Sequence, residues 1–109
     1  MFTTITTMRY EEPVDYNELV ERTKKAVPLY HGMPGLIRKY FCIAPDRCSM
    51  IGVYLWESKE AYEQKFTPEW RAEIAKRQKS EPDVAIYETV AIADNAAREV
   101  SAIAERLDF

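Results

Sequence analysis

The sequence predicts an α+β fold, a four-stranded antiparallel sheet with two helices on one face and a further helix at the C-terminus. Three observations predict it. Runs rich in β-branched and aromatic residues fill 2–10, 36–44, 49–56 and 83–92. Helix-periodic segments separate the first run from the second and the third from the fourth. The gap between the second and third runs is short enough only for a hairpin. The resulting order, β-α-β-β-α-β, is the split βαβ or ferredoxin-like pattern.

Each element has a local reason. Residues 2–10 form the first strand, ended by Glu11, Glu12 and Pro13. Asp15 is placed to cap the first helix, with Glu18 three residues on completing a capping-box-like pair. Tyr16, Leu19, Val20, Thr23 and Val27 make one helical stripe, and Pro28 ends or kinks it. The turn-rich HGMPG at 31–35 leads to the second strand, LIRKYFCIA. PDRCS is a loop, and 49–56 is the third strand. Ser58 caps a helix to about Phe66; Thr67 and Pro68 restart it as N-cap and first helical residue. Pro82 precedes the fourth strand. Asp94 then caps an amphipathic helix over 94–107, with Ala96, Ala97, Val100, Ile103, Ala104 and Leu107 on one stripe. The expected organisation is one domain over 1–92 and a helical extension over 93–109.

Composition narrows the function classes. A net charge of −3 gives no basic footprint for nucleic acid. No apolar run reaches the ~20 residues of a membrane helix, and MFTTITTMRY lacks the basic start of a signal peptide. A cytoplasmic location is expected. One His and two Cys, with no CxxC, give no metal signature; Cys42 and Cys48 flank the hairpin loop at positions that would allow a disulfide, with two buried or idle thiols expected in a reducing cytosol.

The third strand, IGVYLWES, poses the functional question. Ile51, Val53 and Leu55 share one face; Gly52, Tyr54 and Trp56 share the other. Pairing Ile43 with Ser49 across five residues puts Arg38, Tyr40 and Cys42 on the aromatic face. It puts Ile37, Lys39, Phe41 and Ile43 on the aliphatic one. A shift of one residue would reverse this division. The aromatic face is either a pocket wall, with Gly52 leaving a gap, or plain core. The aliphatic face has no cover within the chain, and a homodimer packing sheet on sheet is expected.

PGLIRKY, GVYLWESKEAYEQKF and TPEWRAEI carry a resemblance. Over residues 2–92 the chain resembles the dimeric α/β-barrel proteins of the antibiotic biosynthesis monooxygenase superfamily, and within it the small YdhR-like group. The cofactor-free anthrone-type oxygenases there carry W-E-S-x-x-x-Y, matched by W-E-S-K-E-A-Y. The resemblance implies Trp56 as a substrate-binding residue and Tyr62 as a catalytic one. Gly52 stands where those proteins have a polar amide, Cys42 where they have a His, and Arg71 and Arg77 only loosely match an Arg. The haem-degrading branch is not matched: the first strand has no Asn, and the second helical segment has no His.

Cofactor-free oxygenation requires a site that binds a phenol or enol, takes its proton and lets the anion reduce O₂. Candidate catalytic residues are Tyr62, Arg38 and His31. Arg38 would face the anion, with a surface role equally open; His31 is the one side chain with an unperturbed pKa near 7, with a solvent or capping role also open. Candidate substrate-binding residues are Trp56, Tyr54, Tyr40, Gly52 and Trp70, the last with a helix-anchoring role also open. The expected activity is a cofactor-independent monooxygenase acting on a small aromatic or enolic molecule with O₂. A non-catalytic dimeric binding module, or an isomerase or cyclase on the same scaffold, is the alternative.

Overall fold

The computed structural model describes residues 1–78, 81–96 and 99–102. Four strands form one antiparallel sheet: β1 Phe2–Arg9, β2 Leu36–Ile43, β3 Ser49–Trp56 and β4 Asp83–Glu88. Their order is β2-β3-β1-β4, so the first strand lies between the third and fourth. This is the ferredoxin-like arrangement expected from the sequence.

The helices start and stop where their local chemistry dictates. In α1, Tyr16–Ala26, the Asp15 side chain accepts a hydrogen bond from the Glu18 backbone N–H at 3.2 Å. Pro28 has no N–H to continue the ladder, and the chain tightens into a 3₁₀ turn, Val27–Tyr30. Met33–Leu36 is a turn closed by Leu36 N–H to Met33 O at 3.2 Å. Pro34 fits its first corner, and Gly35, with φ of +76°, its second. A side chain at Gly35 would also strike the Ala61 side chain. Ser58 caps α2, Lys59–Lys65, and the Thr67 hydroxyl accepts from Trp70 N–H to cap α3, Pro68–Gln78.

The helices cover the face of β3 that carries Tyr54 and Trp56. Tyr54, Trp56, Ala61, Tyr62 and Phe66 form the buried cluster, flanked by Phe2, Leu36, Trp70 and Val84. Tyr54 and Trp56 stack, with ring centroids 5.5 Å apart and planes 9° apart, and Phe66 meets both edge-on. Rings are used here because they span the space between sheet and helices, and each such pair adds ~0.5–1.5 kcal/mol beyond burial. Trp56 is fully buried, and its Nε1 donates to the buried Thr4 Oγ1 at 2.8 Å. Neither polar atom is left unpaired.

The hairpin differs from expectation by one residue. Ala44 N–H bonds to Ser49 O at 3.0 Å, and Ile43 pairs with Met50, not Ser49. Four residues, not five, form the loop. Arg47 N–H to Ala44 O at 2.8 Å closes a turn, Asp46 Oδ1 accepts from Cys48 N–H, and Arg47 takes a φ of +61°. A change of one in loop length moves every β2 side chain to the opposite face. Lys39 and Phe41 therefore lie with Gly52 and Tyr54 on the helix side. Arg38, Tyr40 and Cys42 lie with Ile51, Val53 and Leu55 on the outer side. An irregularity between Leu36 and Arg38 restores Leu36 to the inner face beside Trp56.

The C-terminal segment also departs from expectation. The fourth strand ends at Glu88, not 92. Ala91–Asp94, β5, pairs instead with Glu99–Ala102, β6, as a separate two-stranded sheet. The expected helix over 94–107 is therefore replaced by strand at 99–102; residues 103–107 lie outside the described residues. Asp94 does accept a backbone bond, but from Ala96 N–H two residues on, at 3.0 Å. That is an Asx turn, which reverses the chain where an N-cap would start a helix. Asp94 Oδ2 then reaches Arg38 Nη1 at 3.8 Å. Since β4 and β2 are opposite edges of the sheet, the segment after Glu88 carries the chain from one edge to the other.

Candidate functional site

A cavity of about 780 Å³ lies between the sheet, α1 with its 3₁₀ turn, and α3. Its size falls within the range of small-molecule pockets, roughly 300–1,000 Å³. Gly52, Tyr54 and Trp70, three of the candidate substrate-binding residues, line it. So do Tyr30, Lys39, Phe41 and Lys65, which the sequence reading did not nominate.

The remaining candidates lie elsewhere. Trp56 and Tyr62 belong to the buried cluster and do not line this cavity. The Tyr62 ring packs edge-on against Phe2, with centroids 5.6 Å apart. Their shared W-E-S-x-x-x-Y spacing brings them together as core, because both point inward where α2 closes on the end of β3. Arg38 and Tyr40 are on the outer face, where Arg38 Nη1 donates to the Tyr40 hydroxyl at 3.4 Å. His31 is exposed at the end of the 3₁₀ turn. It lines a second, smaller cavity of about 270 Å³ at the β2 edge, together with Arg38. The structure does not bring His31, Arg38 and Tyr62 to one place.

Gly52 has a different use from the one expected. A Cβ there would stand 2.7 Å from Thr6 Oγ1, 2.9 Å from Tyr54 Cε1 and 3.1 Å from Lys39 Cε. The space is not an open floor. It is filled by the Tyr54 ring and the aliphatic stem of Lys39, which approach the strand because no side chain is present.

That approach places a cation among rings. Lys39 Nζ lies 3.8 Å from the Tyr30 ring centroid, 4.1 Å from that of Phe41 and 4.5 Å from that of Tyr54. Lys65 Nζ lies 5.4 Å from the Tyr30 centroid and 5.2 Å from that of Trp70. All these distances are within cation–π range. The electrostatics follow from burial and from this crowding. Burial lowers the Lys39 pKa below its ordinary value, Tyr30 opposes the shift, and Lys65 adds to it. Burial alone would raise Tyr30, but Lys39, the Tyr54 hydroxyl and Lys65 outweigh it and hold Tyr30 below its ordinary value. Burial and then Tyr30 push Tyr54 far above its own. Of the two phenols, Tyr54 keeps its proton and Tyr30 releases it more readily.

At the mouth, three arginines line the cavity, and each is already paired: Arg9 with Asp83, Arg22 with Glu18, and Arg77 with Glu73. These are exposed pairs, worth little individually.

The omission of Lys39 and Phe41 from the candidates had a single cause, the hairpin length. A signal for the shorter loop was present: A-P-D-R at 44–47 places Pro at the second position of a type I turn and Asp at the third. Lys65 and Tyr30 carried no signal beyond their residue types.

No protein-family model and no curated protein matches the chain. Solved structures match at the level of fold. The ActVA-Orf6 monooxygenase of Streptomyces coelicolor, solved with nanaomycin D, aligns with a TM-score of 0.61 and 20% identity, over 85% of this chain and 91% of that one. SnoaB, a cofactor-independent oxygenase from Streptomyces nogalater, aligns with a TM-score of 0.55 and 13% identity, over 81% and 91%. A further antibiotic biosynthesis monooxygenase aligns at 0.59 and 14%, over 83% and 99%. The chain thus has the ferredoxin-like fold of the antibiotic biosynthesis monooxygenases.

Proposed function

We propose that the protein is a cofactor-independent monooxygenase acting on a small aromatic or enolic substrate in the cavity between sheet and helices. The observation that carries this reading is the cavity's lining: Tyr30, Phe41, Tyr54 and Trp70 supply flat apolar walls, and Lys39 sits among them as a cation. The fold shared with enzymes named as oxygenases supports it.

The chemistry asks for a bound enol or phenol, removal of its proton, and stabilisation of the anion while it reduces O₂. Where a ring methylene becomes a carbonyl, one oxygen atom enters the substrate and the other leaves as water. The substrate supplies all four electrons, so no cofactor is required. In this reading Tyr54 and Trp70 hold the ring, Gly52 admits Lys39 to the site as the cation that favours the substrate's anion, and the Tyr30 hydroxyl is placed to hydrogen-bond the substrate oxygen. The protein acts as a homodimer, the partner's sheet packing on Val53 and its neighbours, and works in the cytoplasm.

Oxygen uptake with a panel of phenols, naphthols and anthrones tests the reading. Turnover of at least one, without added metal or flavin, is the expected result. Binding of several without any uptake overturns the oxygenase and leaves a ligand-binding module. Conversion of a ligand without O₂ consumption identifies an isomerase or cyclase.

A further inference from the structure

Two cations in this cavity have no carboxylate partner among the described residues. Among the described residues, neither Lys39 nor Lys65 forms an ion pair with a carboxylate, while Arg9, Arg22 and Arg77 at the mouth each do. Glu11, the remaining carboxylate of the lining without an ion pair, is exposed at the rim. Both lysine ammonium groups stand over one ring, that of Tyr30. Like charges held near each other in partly buried surroundings repel and lose hydration. Ring faces compensate only in part. An anionic oxygen placed against them would relieve both costs at once.

We propose that Lys39 and Lys65 form the anion-binding end of the cavity, and that its ligand is a planar aromatic molecule bound through an anionic oxygen. The inference deepens the monooxygenase reading by naming its substrate class, and rests on that reading's cavity. The ligand's charge meets the two ammonium groups, and its ring lies against Phe41, Tyr54 and Trp70. Lys39 comes from a strand and Lys65 from the last turn of α2, so the two approach from different sides. Their shared neighbour, Tyr30, is oriented by the turn that Pro28 begins. Tyr30, held below its ordinary pKa against the effect of burial by Lys39, the Tyr54 hydroxyl and Lys65, agrees with positive charge gathered at this end; the Lys39 shift comes chiefly from burial.

Calorimetric titration with 2-naphthoate and with 2-naphthylmethanol tests this. The two share a ring system and differ in charge. The carboxylate is expected to bind about tenfold or more tightly than the alcohol, the scale of one charge-assisted hydrogen bond. Lys39→Met and Lys65→Met should each remove most of that preference and leave the alcohol's affinity within about twofold. Lys24→Met, on the outer surface of α1, should change neither. Circular dichroism confirms that each variant is folded.

Equal affinity for the two ligands overturns the anion assignment and leaves the aromatic cavity standing. Loss of both ligands alike in the lysine variants also overturns it, since the lysines would then act through shape. Failure of both ligands to bind overturns the cavity reading and this inference together. A preserved carboxylate preference with no oxygen uptake by any substrate supports the anion site and refutes only the oxygenase.

Discussion

Replacing Gly52 with alanine adds one methyl group at the most crowded point of the site. The added Cβ would meet Thr6 Oγ1 at 2.7 Å, Tyr54 Cε1 at 2.9 Å and Lys39 Cε at 3.1 Å. Ordinary contacts begin near 3.4 Å. The Lys39 stem can swing aside, but the Tyr54 ring is held between Trp56 and Phe66 and cannot. Overpacking of this kind costs about 1–3 kcal/mol. For a domain this size each kcal/mol lowers the melting temperature by roughly 4–8 °C. A fall on the order of 5–20 °C by circular dichroism is therefore expected. Naphthoate affinity should drop as well, because Lys39 must move. Thr6→Ala removes the closest contact, so the double variant should be more stable than the two single effects added together. A Gly52→Ala melting temperature within about 2 °C of the parent would refute the packing account, since it implies less than ~0.5 kcal/mol.

Three further outcomes are expected. Trp56→Phe strands the buried Thr4 hydroxyl and should cost about 1–3 kcal/mol in urea unfolding; an unchanged midpoint would show that this hydrogen bond contributes nothing. Val53→Glu places a charge on the outer sheet face and should convert a sedimenting dimer to monomer or unfold the chain, at a cost of about 3–5 kcal/mol for an unpaired buried charge; a stable dimer would mean that subunits meet elsewhere. Lys39 has a folded pKa below its unfolded 10.5, so its charged form is disfavoured in the folded chain at neutral pH. Lys39→Met should accordingly melt higher than the parent near pH 7, and the gap should narrow as pH rises through the lowered Lys39 value towards 10.5. A gap independent of pH would show that burial of the ammonium is not the cause.

Much of the fold was legible because short-range chemistry decides it. Asp15, Ser58 and Thr67 cap their helices, Pro28 and Pro68 break the chain where they stand, and the alternation in IGVYLWES places Tyr54 and Trp56 inward. The site was less legible, since β2 carries mixed residues on both faces and no pattern fixes its parity. Lys39 and Phe41 alternate with Arg38 and Tyr40, so either face reads as a plausible wall. Only the hairpin count decides between them. W-E-S-x-x-x-Y predicts Trp56 and Tyr62 in one cavity, but that spacing serves the core as well as a pocket, and both lie in the buried cluster. The tail misled for another reason. Ala-rich residues after Asp94 satisfy a helical stripe, yet the same stretch fits a strand pair, Ile92 opposite Ser101 and Ala93 opposite Val100, and the Asx turn at Asp94 settles it.

The hairpin loop at 45–48 has a consequence for inheritance. Each face of β2 carries a cation and a ring: Lys39 with Phe41 inward, Arg38 with Tyr40 outward. Loss or gain of one codon in the loop would exchange the two sets without altering a single residue of the strand. A guanidinium and a phenol would enter the cavity in place of an ammonium and a phenyl ring. Substitution moves one group at a time, whereas a length change in an exposed turn replaces two neighbouring groups in a single step. Among descendants of this chain, specificity can therefore shift through the length of a surface loop whose side chains never touch the ligand.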